Sequence, residues 1–112
     1  MLREQVHKPL IYISSLSSSE MDVEKVREYC RFVISCDGIP IAPYLIFHQF
    51  LKEKTEHRFA MEMNFTLLEK CEEFWVFGEK LSEVMLQELI NAELLHKKVH
   101  CFTDCCKEIT CN

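Results

Sequence analysis

A carboxylate, a hydroxyl and a carboxamide mark the places in this sequence where chemistry is most readable. Phe74-Trp75-Val76-Phe77 is an apolar, aromatic and β-branched run that reads as a buried strand; Gly78 stops it, and Ser82 followed by Glu83 opens a helical pattern. Strand, tight loop and helix place Ser82 at a helix N-terminus, where free N–H groups and the positive dipole end favour polar or anionic ligands. Glu88 follows about one and a half turns further in. Nearby apolar residues raise the pKa of a carboxylate and cost stability unless it is paired or used, so Glu88 reads either as a functional group or as an exposed helix carboxylate. Asn64 lies on the same side of its helix as Ala60, Leu67 and Leu68. An amide facing a core needs hydrogen-bond partners, which are either structural or a ligand.

The elements that must hold these groups alternate along the chain. Leu10-Ile11-Tyr12-Ile13 is a continuous apolar run fit for a central strand, and the serine cluster from Ser14 to Ser19 follows it. Such a cluster is a plain loop by default; its functional reading is a ligand-facing loop in which Ser14, Ser15 and backbone N–H groups meet a sugar or phosphate. Asp22 is a plausible N-cap for a helix from Val23 to Ser35, and Asp37-Gly38 supplies the turn that follows. Ile39 to Pro43 is a second strand whose Pro40 lacks a ladder donor, which assigns it to a sheet edge. The apolar segment Tyr44 to Leu51 reads either as a cap on the core or as a wall for a flat ring. Lys52 to Arg58 is a solvated mixed-charge stretch, after which a helix runs to Lys70. The last helix spans Glu83 to Lys98, with Lys97-Lys98 at its negative end, and Val99 to Phe102 is a fourth strand. Four strands alternating with helices predict an α/β, Rossmann-like three-layer fold: a parallel sheet of about four strands, order 2-1-3-4, in one domain over 1–112. The core is 8–102, and 103–112 is a cysteine-rich tail.

Composition narrows the function. The chain has 112 residues, 48% of them hydrophobic and 28% charged, with two glycines and three prolines, which fits one globular domain rather than linkers or a turn-rich all-β fold. A net charge of -5 without a basic run gives no footprint for a nucleic-acid polymer or an anionic membrane. No apolar stretch approaches the ~18 residues that span a bilayer, and nothing reads as an export signal, so a cytoplasmic location is expected. Seven cysteines, an odd number, then read as reduced thiols. Cys101, Cys105, Cys106 and Cys111 crowd the C-terminus near His96 and His100, yet without a C-x-x-C pair; neither a metal nor a cofactor is expected.

The runs KPLIYISS, VEKVREYCRFVIS, IPIAP, MEMNFTLLEKCEEFWVFG and SEVMLQE together resemble the nucleoside 2-deoxyribosyltransferase superfamily, over roughly Lys8 to Phe102. The likeness rests on the order and spacing of these runs. It implies a flavodoxin-like fold and cleavage of the N-glycosidic bond of 2′-deoxynucleosides or their monophosphates through a covalent deoxyribosyl-enzyme. By the same resemblance Glu88 is the nucleophile, Tyr12 orients it, Ser82 contacts a 5′-phosphate or sugar, Asn64 falls where the transferases hold the base with an aspartate, and Glu72 matches an acidic helix end. The expected partner is a small nucleoside or nucleotide. Chemically the set is coherent, since a carboxylate nucleophile must be ionised, aimed and set against an oxocarbenium-like centre.

Two positions depart from the resembling pattern: Leu16-Ser17-Ser18-Ser19 replaces a glycine-bearing first loop, and Val84 replaces a glycine. Glycine serves where backbone approaches a ligand closely, so Val84 fills space beside the sugar, and an impaired nucleotide-binding or structural subunit is the alternative to an enzyme. Leu45, Phe47 and Phe50 are expected on the surface, and with them a homodimer or larger homo-oligomer.

Overall fold

The structure is a computed structural model, and it describes residues 7–16, 20–47, 49–51 and 55–110. Ser17, Ser18 and Ser19 of the first loop, residues 52–54 of the charged stretch, and Cys111 lie outside the described residues.

The strands are β1 (Leu10–Ser14), β2 (Ile39–Ile41), β3 (Glu73–Phe77), β4 (Lys98–Phe102) and β5 (Glu108–Ile109), and they form one sheet ordered β2-β1-β3-β4-β5. The first four are parallel, with Tyr12 opposite both Ile41 and Phe74, as the apolar runs predict, and Pro40 lies on the edge strand. A fifth strand, absent from the sequence reading, pairs antiparallel with β4. Four strands joined by helical crossovers with helices on both faces give the expected flavodoxin-like arrangement.

Pleating sorts each strand's side chains between the two faces. Ile11, Ile13, Trp75, Phe77 and Phe102 pack with Val26, Tyr29 and Val33 of α1 (Glu20–Ser35). Tyr12, Phe74 and Val76 pack on the other face against Leu68 of α3 (His57–Lys70) and Met85 and Ala92 of α4 (Glu83–Leu94). Between β2 and α3 lies a short helix, α2 (Pro43–Phe47), with Pro43 in its first turn, where the missing N–H costs nothing. Gly38 lets the α1–β2 turn press on the core: a Cβ there would lie 2.4 Å from Ile11 Cδ1 and 3.0 Å from Val33 Cγ1.

Several expectations are corrected. The first helix begins at Glu20, so Asp22 lies inside it. The last helix ends at Leu94 because His96 turns left-handed, φ 58°, and Lys98 enters β4. Of the three apolar residues expected on the surface only Phe50 is exposed; Leu45 packs on the core and Phe47 is half-buried against Phe50. The thiols are not all reduced: Cys101 is disulfide-bonded, while Cys30, Cys36, Cys71, Cys105 and Cys106 are free. Because β5 folds back on β4, with Cys101 opposite Ile109, the C-terminal segment lies beside Cys101, a closeness that linear spacing hides. Among the described residues no helix is long and apolar enough to cross a membrane, and no three His, Cys, Asp or Glu side chains are grouped to hold a metal ion.

Candidate active site

Glu88 is buried because of its spacing in α4. Met85, Glu88 and Ala92 recur at three and four residues and form the face laid on the sheet, so Glu88 is only 8% exposed although its side chain is ionisable. Ser82 sets the start of this helix: its side chain accepts a hydrogen bond from the Met85 N–H at 3.2 Å, an N-cap that fixes the helical phase.

Across from Glu88, the pleat of β1 points Tyr12 and Ser14, two residues apart, to the same face. The Tyr12 hydroxyl donates to Glu88 Oε2, and the Ser14 hydroxyl donates to Oε1 at 2.8 Å. Both carboxylate oxygens are thus held, and the carboxylate cannot rotate without breaking one of the bonds. The Tyr12 ring is itself fixed by stacking on Phe74, 5.7 Å between centroids. Burial pushes the Glu88 carboxyl above the usual carboxylate range, and the bonds from Tyr12 and Ser14 pull it back part of the way. Burial, then the charge of Glu88 and the bond to it, raise the Tyr12 phenol so that it stays protonated and remains a donor.

Glu88 opens on a cavity of about 470 Å³ beyond the carboxyl ends of β1, β2 and β3. That is the size range of small-molecule sites, at the position where ligands bind in open α/β sheets. Ser15, Leu16, Ser82 and Val84 wall it on one side, and Ala60, Met61 and Asn64 of α3 on another. Tyr44, Phe47 and Leu51 also line it, so the apolar segment after β2 contributes both to this wall and, through Leu45, to the core. The Oδ1 of Asn64 is buried and has no hydrogen-bond partner among the described residues.

Five of the six residues singled out in the sequence therefore converge around the sixth, Glu88: Tyr12 and Ser14 bond it, and Ser15, Asn64 and Ser82 share its cavity. Ser14 does not behave as a loop residue; it ends β1, is 1% exposed, and its hydroxyl is turned onto Glu88. Glu72 lies apart, exposed and paired with His7 at 2.8 Å. Glu56 and His57, read as part of a solvated charged stretch, also reach the cavity wall; charge density alone gave no sign of it.

The fold is similar to that of a 2-deoxyribosyltransferase from the psychrotolerant bacterium Bacillus psychrosaccharolyticus, described as a biocatalyst for the synthesis of antiviral and antitumoral nucleosides. The TM-score is 0.68, over 91% of this chain and 76% of that one, at 15% sequence identity. At that identity the likeness is one of fold. No curated protein matches the chain by sequence. A family model described as a domain of unknown function, DUF7768, matches residues 9–102, and the chain belongs to that family.

Proposed function

We propose that this deoxyribosyltransferase-like domain binds a 2′-deoxynucleoside or its 5′-monophosphate in the cavity and cleaves the N-glycosidic bond with Glu88 as nucleophile. The observation that carries the reading is a buried carboxylate held at both oxygens, by Tyr12 and Ser14, on the wall of a ligand-sized cavity. A structural carboxylate has no need of an adjoining cavity, and burying one costs stability that only use or pairing explains.

In this scheme a Glu88 oxygen forms a bond to the anomeric carbon while the bond from that carbon to the base nitrogen breaks. Its electron pair leaves with the base, which takes up a proton. Water, or the nitrogen of a second base, then displaces Glu88 and gives up its own proton. Each carboxylate oxygen accepts one hydroxyl and keeps a second lone pair for attack. The two donors restrict the carboxylate to one orientation before the substrate arrives, which is how positioning lowers a barrier.

Val84 favours a second reading, a slow or inactive binder. It lies one turn before Glu88 on the same helix face and lines the same cavity, so its isopropyl group occupies volume next to the nucleophile. The test is incubation of the native chain and Glu88→Ala with deoxynucleosides and their monophosphates, with free base quantified by chromatography. Release of base by the native chain and none by Glu88→Ala supports the enzyme. Equal background from both, with equilibrium binding retained, leaves the binder.

A further inference from the structure

A base that leaves an N-glycosidic bond carries off an electron pair and departs far more readily when a positioned acid gives it a proton. The ionisable side chains among the described lining residues of the cavity are Tyr44, Glu56, His57 and Glu88. Glu88, held at both oxygens by Tyr12 and Ser14, is committed to the anomeric carbon. Near neutral pH a phenol holds its proton too tightly to act as an acid, and a carboxylic acid has for the most part already lost its own. An imidazole is the side chain that populates both its protonated and its neutral form in that range.

The spacing of α3 puts His57 on the correct side. Ala60, Met61 and Asn64 follow it by three, four and seven residues and all line the cavity, so the four form one stripe along the helix face turned to that space. That stripe and the wall carrying Glu88 come from different helices, α3 and α4, and a nucleoside whose sugar meets Glu88 extends its base away from α4. His57 is also exposed, so it exchanges protons with solvent between turnovers. We propose that His57 is the general acid of this cavity: as the bond from the anomeric carbon to the base breaks, a protonated imidazole passes its proton to a ring nitrogen of the base. The neutral imidazole then takes back a proton from the water, or from the second base, that displaces Glu88, and the cycle closes. The proposal rests on the reading of Glu88 as nucleophile and adds the source of the proton to it.

The test compares base release from 2′-deoxyguanosine and from 7-methyl-2′-deoxyguanosine by the native chain, His57→Gln, Glu56→Gln and Glu88→Ala. The methylated base already bears a positive charge and leaves as a neutral molecule, so it needs no proton. His57→Gln should slow release from 2′-deoxyguanosine by on the order of a hundredfold to ten-thousandfold, and leave release from the 7-methyl nucleoside within about tenfold of native. Glu88→Ala should abolish both. Equal loss on the two substrates, no loss on either, or the selective loss appearing in Glu56→Gln instead, overturns the role of His57. So does a native chain that acts on the 7-methyl nucleoside alone. In each of those cases Glu88-dependent release of 7-methylguanine keeps the cleavage reading standing. No Glu88-dependent release from either substrate overturns both.

Discussion

Replacing Tyr12 by Phe removes one hydroxyl and leaves the ring stacked on Phe74 in a position that is 0% exposed, so the variant isolates the hydrogen bond to Glu88. Such a bond contributes about 1.5–3 kcal/mol when its acceptor is charged and about 0.5–1.5 kcal/mol when it is neutral, so the protonation state of Glu88 sets the cost. Burial raises the Glu88 pKa, and the bond from Tyr12 is the first influence pulling it back. A carboxyl whose folded pKa lies above its unfolded value, near ~4.3, contributes stability that is full below that value and is lost as pH rises through the folded pKa. Removing Tyr12's hydroxyl raises the folded pKa further, and the loss then extends to higher pH. Tyr12→Phe should therefore cost about 0.5–1.5 kcal/mol in acid, where Glu88 is protonated, and about 1.5–3 kcal/mol at alkaline pH, where it is ionised. Urea unfolding of both proteins at the two pH values measures this, and taking the difference between them cancels the titration of other groups. In a Glu88→Gln background the pH dependence of the difference should vanish. A cost that is equal at both pH values, or larger in acid, would refute the claim that Tyr12 holds an ionised Glu88.

Other expectations follow from the same geometry. Val84→Gly should raise Glu88-dependent base release by roughly tenfold to a hundredfold if overpacking of about 1–3 kcal/mol is spent on the transition state, and Glu88→Ala in that background should abolish it. Because Glu88 must be ionised to attack and its pKa is raised, the acid side of the rate profile should fall off at a higher pH than the ~4.3 of a free glutamate; a fall-off at or below that value argues against Glu88. Gly38→Ala drives a Cβ into Ile11 and Val33 and should lower stability by about 1–3 kcal/mol, read as a shift in the thermal midpoint. Phe50 and Leu94, 63% and 71% exposed, leave apolar surface for self-association; sedimentation at high micromolar concentration should give a species heavier than 13.3 kDa, and a monomer throughout would remove the idea.

The sheet was readable because its strands are apolar runs with breakers between them. Pro40 could only sit at an edge, and Gly78, at φ 107°, ends β3 in a conformation that side chains avoid. What escaped were features set by contact between distant segments. β5 is two exposed residues long and exists because β4 offers an edge, so no local pattern announces it. The end of α4 falls at a histidine in the left-handed region rather than at a glycine, so the helical periodicity read straight on into Lys98.

Ser14 is the most instructive case, since a serine at the head of a serine cluster reads as loop, yet the register of β1 against β3, with Ser14 opposite Val76, makes it the last residue of the strand. Once it is in the strand, the two-residue pleat obliges it to share a face with Tyr12, and the spacing of Met85, Glu88 and Ala92 brings the carboxylate down onto that face. Neither the strand nor the helix alone explains why a charge is buried there. Two hydroxyls from β1 meet both oxygens of one carboxylate from α4, which offsets part of the desolvation cost while leaving Glu88 open to the cavity. Leucine at this position would leave the buried Tyr12 and Ser14 hydroxyls without the acceptor they share, so Glu88→Leu should lower stability in acid by about 1–3 kcal/mol, read by urea unfolding, while removing any nucleoside chemistry the cavity supports.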